Sequence, residues 1–250
     1  MLSVSLIGIG CGDPEQLTLQ AVRAINAADL ILIPRKGAEK SDLADLRRTI
    51  CAQVLTNRAT RIVEFDLPQR DAEREDYLGG VDDWHDAIAA SWTREIAAHL
   101  GHEGRVALLI WGDPSLYDSS LRIARRLVPA PKIDVIPGVT SIQALCAAHG
   151  IPLNEISEPF LVTTGRRLRE DGWPQGADTV VVMLDGGTAF QAIEPEGIHI
   201  WWGAYLGMPN QITLSGSLVE AGPKIAAARA DARARHGWIM DSYILKRKLG

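Results

Sequence analysis

An alternation between two apolar patterns limits the folds open to the first half of the chain. Short runs rich in Val, Ile and Leu, such as LSVSLI at 2–7, LILIP at 30–34 and RVALLI at 105–110, are typical of strands. Between them, segments such as LQAVRAINAA at 19–28 place apolar residues at helical spacing. Strands that alternate with helices predict a mainly parallel sheet with helices on both faces.

The second half of the chain has a different pattern. A helical segment, SIQALCAAHG at 141–150, precedes five strand-like runs with few helical segments between them: FLVTT, DTVVVML, IHIWWGA, QITLSGSL and WIMDSYIL. This pattern predicts a mixed sheet. We therefore expect two α/β domains, one at 1–137 with the mainly parallel sheet and one at 138–250 with the mixed sheet. The 250 residues suffice for two domains of ordinary size.

Composition and charge argue against several classes of protein. The net charge of −5 gives no reason to expect nucleic acid as a partner. No apolar run reaches the ~18 residues that a membrane helix needs. The N-terminus begins in a strand rather than in a basic and then apolar leader, so we expect a cytoplasmic protein without a membrane partner. The cysteines form no C-x-x-C pair and the histidines show no metal-ligand spacing, so we expect no metal.

The segment GIGCGD at 8–13 lies between the first strand and the first helix, where a nucleotide-binding loop would begin. The dinucleotide pattern G-x-G-x-x-G does not fit, because the third glycine comes one residue early and Asp13 would repel a pyrophosphate. A phosphate loop does not fit either, because no Gly-Lys-Ser/Thr follows. The glycines still permit tight turns and the close approach of a ligand.

Three longer motifs stand in order along the chain: LIGIGCGDPEQLTLQAVRAINAADLIL, LLIWGDPSLYDSSLRIARRL and VIPGVTSIQALCAAHGIPL. Together they resemble the tetrapyrrole methyltransferases of cobalamin and siroheme synthesis, which use S-adenosylmethionine. The resemblance extends to about Leu218, with further matches at TTGR, VVVMLDGG and AYLGMPNQ. It implies that family's fold, which has two α/β domains of the class III methyltransferase type with the ligand cleft between them. It also implies a homodimer.

The resemblance gives the first glycine loop a role as well. In that family the loop lies at the mouth of the cleft, where the methyl donor meets the substrate, and the donor carries no phosphate. This sequence departs from the family at Cys11, where proline is usual. The change makes the loop less rigid, and it puts a thiol near the expected reaction centre.

The motif Trp111-Gly112-Asp113-Pro114 follows a predicted strand, at the edge where α/β sheets bind ligands. Asp113 could accept hydrogen bonds from the donor's ammonium or ribose hydroxyls, or it could cap the next helix. Thr140 and Ser141 open the helix after Pro137-Gly138, and as caps they satisfy its free amides. The resemblance implies that they also face the donor's carboxylate, an anion that a helix N-terminus favours.

Strand ends in the second half complete the expected donor site. Met183 and Leu184 end the run VVVML, and Ala204 and Tyr205 follow IHIWWG. The resemblance implies that these ends enclose the adenine and methionine parts of the donor, although Met183 could equally be a core residue. The full set expected to contact the donor is Cys11, Trp111, Gly112, Asp113, Thr140, Ser141, Met183, Leu184, Ala204, Tyr205 and Thr213.

Basic residues follow two of the strands: Arg35 and Lys36 in the first half, and Arg166, Arg167 and Arg169 in TTGRRLRE. A run of charge is usually a solvated surface. A tetrapyrrole precursor, however, carries several acetate and propionate groups, and arginine pairs with carboxylates through two parallel hydrogen bonds. Of this group, Arg35, Lys36, Arg166 and Arg167 are the residues that we expect to bind the tetrapyrrole.

Within the family, WGDPSLYDSSLRIARRL and WWGAYLGMPNQ look most like members of the aerobic cobalamin route that methylate precorrin-5 at carbon 1 and release acetate. Methyl transfer depends on positioning. Acetyl loss needs a base and a group that stabilises an oxyanion, and the candidate catalytic residues are Asp13, Asp113 and Tyr117. Two alternatives remain: another tetrapyrrole methyltransferase of the same fold, or a non-catalytic protein that binds S-adenosylmethionine or a tetrapyrrole.

Overall fold

The contacts within the chain divide it into two units, Met1–Val139 and Thr140–Gly250. This division is seen in a computed structural model that describes residues 1–35, 41–68 and 76–247. It falls close to the boundary that we expected after Pro137. Each unit has its own five-stranded sheet.

The first unit alternates strands and helices, as the sequence predicts. Its sheet has the order β3-β2-β4-β1-β5, and every described pair of strands in it is parallel. The prediction of a mainly parallel sheet is therefore confirmed. The elements are β1 (Leu2–Gly8), α1 (Leu19–Ala27), β2 (Leu30–Arg35), α2 (Ser41–Val54), β3 (Arg61–Asp66), α3 (Tyr77–Leu100), β4 (Gly104–Ile110), α4 (Ser120–Ala124) and β5 (Lys132–Ile136).

Helices cover the parallel sheet on both faces. Successive strand residues point to opposite faces, so in β1 Val4 and Leu6 belong to one apolar cluster and Ile7 belongs to another. Helices α3 and α4 complete the first cluster through residues such as Trp92 and Ile123, and α1 and α2 complete the second. Burial on both faces explains why the strands read as continuous apolar runs.

The second unit holds the mixed sheet. Its order is β6-β7-β10-β8-β9, in which β6 and β7 are parallel and the other neighbours are antiparallel. One face packs on the long helix α7 around the buried side chains of Trp202 and Tyr243. The elements are α5 (Ser141–His149), β6 (Phe160–Thr164), α6 (Gly165–Asp171), β7 (Thr179–Met183), β8 (Ile198–Ala204), β9 (Ile212–Ser217), α7 (Leu218–His236) and β10 (Asp241–Arg247).

Two helices differ from what the sequence predicts. Helix α6 was not expected, and it begins because the Thr164 side chain caps it by accepting a hydrogen bond from the backbone amide of Arg167, at 3.4 Å. The segment YDSSLRIARRLV at 117–128 has helical spacing and predicts a helix that begins at Tyr117. Helix α4 begins at Ser120 instead, because the Asp118 carboxylate accepts from the Ser120 amide at 2.6 Å. A local bond of this kind competes with helical hydrogen bonding.

A buried histidine makes the first unit sensitive to acid. His85 of α3 is buried, and its Nε2 has no hydrogen-bond partner among the residues described. Burial lowers the pKa of His85, and the guanidinium groups of Arg126 and Arg122 add to this more than Asp82 and Asp86 oppose it. The imidazole is therefore neutral in the folded chain at neutral pH.

The unfolded chain takes up a proton at this histidine near pH ~6.5, while the folded chain takes it up only at lower pH. The unfolded state thus binds more protons, and the free energy of unfolding should fall as the pH falls below ~6.5. We expect His85→Leu to flatten this dependence in urea unfolding measured between pH ~5 and ~7. The exposed His102 is the control, since His102→Leu should leave the slope as it is. An unchanged slope in His85→Leu would contradict the prediction.

Candidate functional site

Three chain segments meet in backbone contact at the carboxyl edge of the parallel sheet. Gly8 ends β1, Gly112 follows β4 and Gly138 follows β5. A Cβ atom on Gly138 would lie 2.2 Å from the Gly112 carbonyl oxygen, and one on Gly8 would lie 2.5 Å from the Gly138 nitrogen. Gly10 and Gly112 also form a bridge through two backbone hydrogen bonds, of 3.3 and 2.8 Å. These glycines are needed because backbone packs on backbone.

Asp113 connects two of these segments. Its Oδ2 accepts from the Gly138 amide at 2.8 Å, and its Oδ1 accepts from both the amide and the hydroxyl of Ser115. Burial acts to raise the pKa of Asp113, but these hydrogen bonds outweigh it and hold the pKa below its usual value. The expectation that Asp113 could cap the next helix is wrong, because α4 begins only at Ser120 and the carboxylate closes a turn instead.

We expect Asp113→Asn to weaken the folded chain by about 1–3 kcal/mol. Asparagine keeps one acceptor oxygen but turns an amide NH₂ toward a backbone N–H that it cannot satisfy. Urea unfolding measures the loss, and calorimetry with S-adenosylhomocysteine measures whether donor affinity falls with it. Ser115→Ala is the matched control, because it removes one hydroxyl and leaves both backbone amides bonded. Equal stability of Asp113→Asn and the wild type would contradict the anchoring role.

The first glycine loop holds Cys11 and Asp13. Cys11 is buried, with its amide bonded to Gln16 Oε1 at 2.9 Å and its Sγ at 3.6 Å from the Val139 carbonyl oxygen. Burial raises the pKa of this thiol to about 12, so it stays protonated and serves packing rather than nucleophilic chemistry. Asp13 is half-buried and caps a 3-10 turn through an Oδ1 bond from the Glu15 amide at 2.9 Å.

Strained backbone coincides with the predicted site. In the described parts of the chain, the non-glycine residues with left-handed φ angles are Tyr117 (50°), Ser157 (64°), Leu184 (52°) and Tyr205 (51°). Three of these four were predicted as site residues. Such a conformation costs roughly 1–3 kcal/mol for a residue with a side chain, and it clusters at functional sites. The strain therefore supports a ligand-binding role for these positions.

Two of the three strained residues of the second unit, Leu184 and Tyr205, each follow a strand. Leu184 follows β7, and its side chain is 64% exposed. Tyr205 follows β8 and is buried, with its hydroxyl donating to the Trp238 carbonyl oxygen at 2.5 Å and its amide donating to that of Met240 at 2.9 Å. Of the other predicted positions, Met183 is half-buried at the end of β7, Ala204 is buried at the end of β8 and Thr213 is half-buried within β9.

The start of α5 holds the two predicted hydroxyl residues in different roles. Thr140 caps the helix, accepting from the Ile142 amide at 3.2 Å. Ser141 is the first helical residue, and its buried Oγ has no hydrogen-bond partner within the described segments. A buried hydroxyl without a partner is costly. Within the part of the chain that the structure describes, the Ser141 hydroxyl thus lacks the hydrogen-bond partner that a buried hydroxyl ordinarily has.

Comparison with known protein families identifies the family of this chain. The sequence model of the Tetrapyrrole (Corrin/Porphyrin) Methylases matches residues 3–222. The chain belongs to this family.

Two relatives of this methylase are similar to it over nearly the whole chain. It is 49% identical to a precorrin-6A synthase [deacetylating] of Sinorhizobium sp over 251 aligned residues, which are 99% of this chain and 96% of that protein. Among solved structures, a putative cobalamin synthesis related protein (CobF) from Corynebacterium diphtheriae has a TM-score of 0.84 at 39% identity and covers 99% of both chains.

A more distant methylase shows the same fold. Uroporphyrin-III C-methyl transferase from Thermus thermophilus, complexed with S-adenyl homocysteine, has a TM-score of 0.61 at 21% identity. The match covers 97% of this chain and 96% of that one. The predicted fold class is confirmed by these similarities. No helix in the described stretches of the methylase is long and apolar enough to cross a membrane, and no group of His, Cys, Asp or Glu there is placed to hold a metal ion.

The predicted tetrapyrrole-binding arginines of the methylase are on its surface. Arg35 is exposed at the end of β2 and forms a two-bond ion pair with Asp66, at 3.0 and 3.1 Å. Arg166 is exposed in the first turn of α6, and Arg167 pairs with Asp171 one turn along that helix at 2.9 Å. Lys36 lies outside the described residues.

A buried ion pair in the second unit, between Arg229 and Asp241, was missed by the sequence analysis. Arg229 of α7 is buried and pairs with Asp241 of β10. The burial of Arg229 was predictable from helical spacing, because Arg229 lies four residues after Ile225 and three before Ala232, both on the buried face of α7. Asp185, just after Leu184, is also buried, and a Cβ on Gly165 would lie 2.2 Å from its Oδ1.

Proposed function

We propose that this methylase is an S-adenosylmethionine-dependent C-methyltransferase of aerobic cobalamin biosynthesis, which converts precorrin-5 to precorrin-6A by methylation at C-1 with release of acetate. The observation that carries the proposal is the 49% identity to a precorrin-6A synthase [deacetylating] over 99% of the chain. The match covers 96% of that relative and spans both α/β units of this chain.

Features of each unit support donor binding. In the first unit, Trp111, Gly112 and Asp113 stand at the carboxyl edge of the parallel sheet, where α/β sheets bind ligands. In the second unit, the Ser141 hydroxyl lacks a partner among the residues described, and Leu184 carries backbone strain. An unsatisfied hydroxyl and an exposed strained residue fit a polar ligand with apolar parts, such as S-adenosylmethionine. When bound, this donor supplies the methyl group from its sulfonium.

Acid–base roles can be divided among the three candidates by their hydrogen bonds. Asp113 uses both of its oxygens and its pKa is lowered, so it is a poor base and a good anchor. Tyr117 is 46% exposed, and partial burial raises the pKa of its phenol, so it remains a hydrogen-bond donor at neutral pH. Asp13 accepts one bond, at Oδ1, and no bond to its Oδ2 is found within the described stretches.

We therefore assign the base to Asp13 and the oxyanion donor to Tyr117. Asp13 takes a proton from water as the water oxygen adds to the acetyl carbonyl carbon. The Tyr117 hydroxyl donates to the developing oxyanion. Cleavage of the bond to the ring then releases acetate, which carries away both oxygens, and leaves the bonding electron pair on the corrin.

One experiment tests the activity directly. The protein is incubated with precorrin-5 and methyl-labelled S-adenosylmethionine, and the products are examined by mass spectrometry. The expected product carries one labelled methyl group and lacks the acetyl group, with one acetate released per turnover. A methylated product that keeps its acetyl group would favour another tetrapyrrole methyltransferase. Binding of both ligands without turnover would favour a non-catalytic binding protein.

Arg166 is our candidate for pairing with a substrate carboxylate, since it lies in the first turn of α6, which directly follows β6. Arg166→Ala should raise KM for the tetrapyrrole and leave donor affinity nearly unchanged. The loss should be about 2–5 kcal/mol if the substrate desolvates the pair, and under about 1 kcal/mol if the pair stays exposed. Arg166→Lys should restore only part of it, because lysine cannot form two parallel bonds.

The matched control for Arg166 is Arg235→Ala. Arg235 forms an exposed ion pair with Asp231 within α7, so its removal should not change KM. If Arg166→Ala turns over the tetrapyrrole like the wild type, the arginines of α6 are a solvated surface and the substrate is recognised elsewhere.

The remaining expectations also belong to this proposal. We propose a cytoplasmic homodimer that acts without metal or nucleic acid, on the resemblance to the family and on the net charge of −5. Light scattering on the purified protein tests the dimer. Activity after treatment with a chelator tests the absence of a metal requirement.

A further inference from the structure

A buried ion pair lies next to the strained strand ends of the second unit. Arg229 donates from Nε to Asp241 Oδ2 at 3.0 Å and from Nη2 to the backbone carbonyl oxygen of Asp185 at 2.7 Å. The two side chains of the pair are only 9% and 4% exposed. Asp241 Oδ2 also accepts from the Trp202 indole at 2.9 Å. One guanidinium thus joins α7 to the start of β10 and to the residue that follows Leu184.

Stability alone is a weak reason for this pair. Removing two charges from water is costly, and well-packed apolar residues often stabilise a fold as much as a buried pair does. Burial raises the pKa of Asp241 even beside Arg229, which means that desolvation of this carboxylate outweighs its attraction to the guanidinium. The hydrogen bond from Arg229 to the backbone of Asp185 offers a more specific reason for a buried arginine at this position.

The backbone at Leu184 needs support from its neighbours. Leu184 is left-handed, with φ at 52°, and its side chain is 64% exposed, so burial of that side chain does little to offset the strain. The support comes from Asp185. Its carboxylate accepts from the amides of Gly187 and Ala189, from Arg169 and from the Tyr243 hydroxyl. Its carbonyl oxygen, in the peptide unit that follows Asp185, accepts from Arg229, so the backbone directly after Leu184 is held on both the side-chain and the main-chain atoms of Asp185.

The end of β8 is connected to the same pair. Trp202 of β8 donates to Asp241, and β8 runs from there through Ala204 to the strained Tyr205. Asp241 pairs with Ala204 across the sheet. Arg229 is therefore linked by one hydrogen bond to Asp185, the residue after Leu184. Through Asp241 it is linked by two successive hydrogen bonds to β8, the strand that ends before Tyr205.

We propose that Arg229 is a positioning residue, which holds the left-handed backbone at Leu184, and through Asp241 the end of β8, in the conformation that binds the methyl donor. This inference rests on the proposed function, because it takes the ends of β7 and β8 as part of the donor site. Arg229 touches neither donor nor substrate in this role.

The test is the affinity for S-adenosylhomocysteine, measured by calorimetry on the full chain well below the unfolding temperature. Arg229→Lys keeps the positive charge beside Asp241 but removes the rigid planar guanidinium, whose Nε and Nη2 donate to Asp241 and to the Asp185 carbonyl oxygen from two fixed positions. We expect Kd to rise about tenfold, which corresponds to ~1.4 kcal/mol. Arg235→Met, on the exposed side of the same helix, is the control and should leave Kd unchanged.

A second-site variant separates positioning from general support. Glycine adopts a left-handed φ without strain, so in a Leu184→Gly background the conformation no longer needs to be imposed. There we expect Arg229→Lys to change Kd by less than about threefold, well below the roughly tenfold change expected in the wild-type background. If Arg229→Lys does not fold, Asp241→Asn, which removes the charged anchor of Arg229, takes its place in both backgrounds.

The outcomes are distinct. A lower unfolding temperature with an unchanged Kd would make the pair merely structural and overturn the proposal. Equal effects on Kd in the wild-type and Leu184→Gly backgrounds would overturn it as well. Absence of S-adenosylhomocysteine binding to the wild type would overturn the proposed function along with it, whereas wild-type binding with an unaffected Arg229→Lys overturns the positioning role alone.

Discussion

Gly138→Ala should be among the most damaging single-methyl changes in this chain. The added Cβ would lie 2.2 Å from the Gly112 carbonyl oxygen and 2.8 Å from the Gly8 Cα. Both neighbours are backbone atoms and cannot rotate away as a side chain would. We expect a loss of about 3 kcal/mol or more in the free energy of unfolding, at the upper end for overpacking. Urea unfolding of the full chain measures the loss.

The matched control for Gly138 is another glycine without a left-handed φ. Gly186 has no atom within 4 Å of a built Cβ, so Gly186→Ala should change stability by less than about 0.5 kcal/mol. Gly8→Ala should resemble Gly138→Ala, because its Cβ would meet the same backbone from the other side. A Gly138→Ala protein as stable as Gly186→Ala would show that the three segments can separate at little cost.

The largest effect on catalysis is expected at Asp13. Asp13→Asn should lower kcat by about 10²- to 10⁴-fold, the usual contribution of a general base. Asparagine keeps an Oδ1 that can accept from the Glu15 amide, so the turn at Pro14–Gln16 should persist. Donor affinity should therefore stay near the wild-type value. Single-turnover mass spectrometry separates methylated from deacetylated products and identifies the step that slows.

Glu15→Gln provides the control for Asp13. It makes the same acid-to-amide change in the same turn, at an exposed side chain, and we expect no change in kcat. Wild-type turnover by Asp13→Asn would remove Asp13 as the base. In that case Asp113 and Tyr117 would be the next residues to test, despite the hydrogen bonds and the raised phenol pKa that argue against them.

Periodicity in the sequence is enough to predict both sheets. In the parallel sheet, the inner strands β1, β2 and β4 are largely buried on two faces, and each amphipathic helix covers one of those faces. The glycines show the limit of that reasoning. Gly8, in the first glycine loop, was expected to admit a ligand, whereas the structure shows it packed against Gly138 and Gly112. Contacts among residues 8, 112 and 138 depend on tertiary structure, and no local pattern contains them.

The candidate site was predictable only where it coincides with motifs. Leu184 and Tyr205 were named from the resemblance, and the structure adds the left-handed backbone that makes them unusual. Helix α6 was missed because GRRLRE has no apolar stripe and begins with glycine, a poor helix former. Arg229 was missed because an arginine in an Ala-rich helix reads as solvated, although its spacing from Ile225 places it on the buried face.

The three cysteines, Cys11, Cys51 and Cys146, can also report on motion. Burial raises the pKa of Cys11 to about 12 and that of Cys51 to about 11, and it raises the pKa of Cys146 as well. Alkylating reagents attack the thiolate, so modification of the buried Cys11 and Cys51 at neutral pH must wait until the surrounding structure opens. Both belong to the first unit, whereas Cys146 belongs to the second and is half-buried. Pulsed alkylation of the natural chain therefore records the local opening of the first unit, with the more accessible Cys146 as an internal reference and no substituted residue.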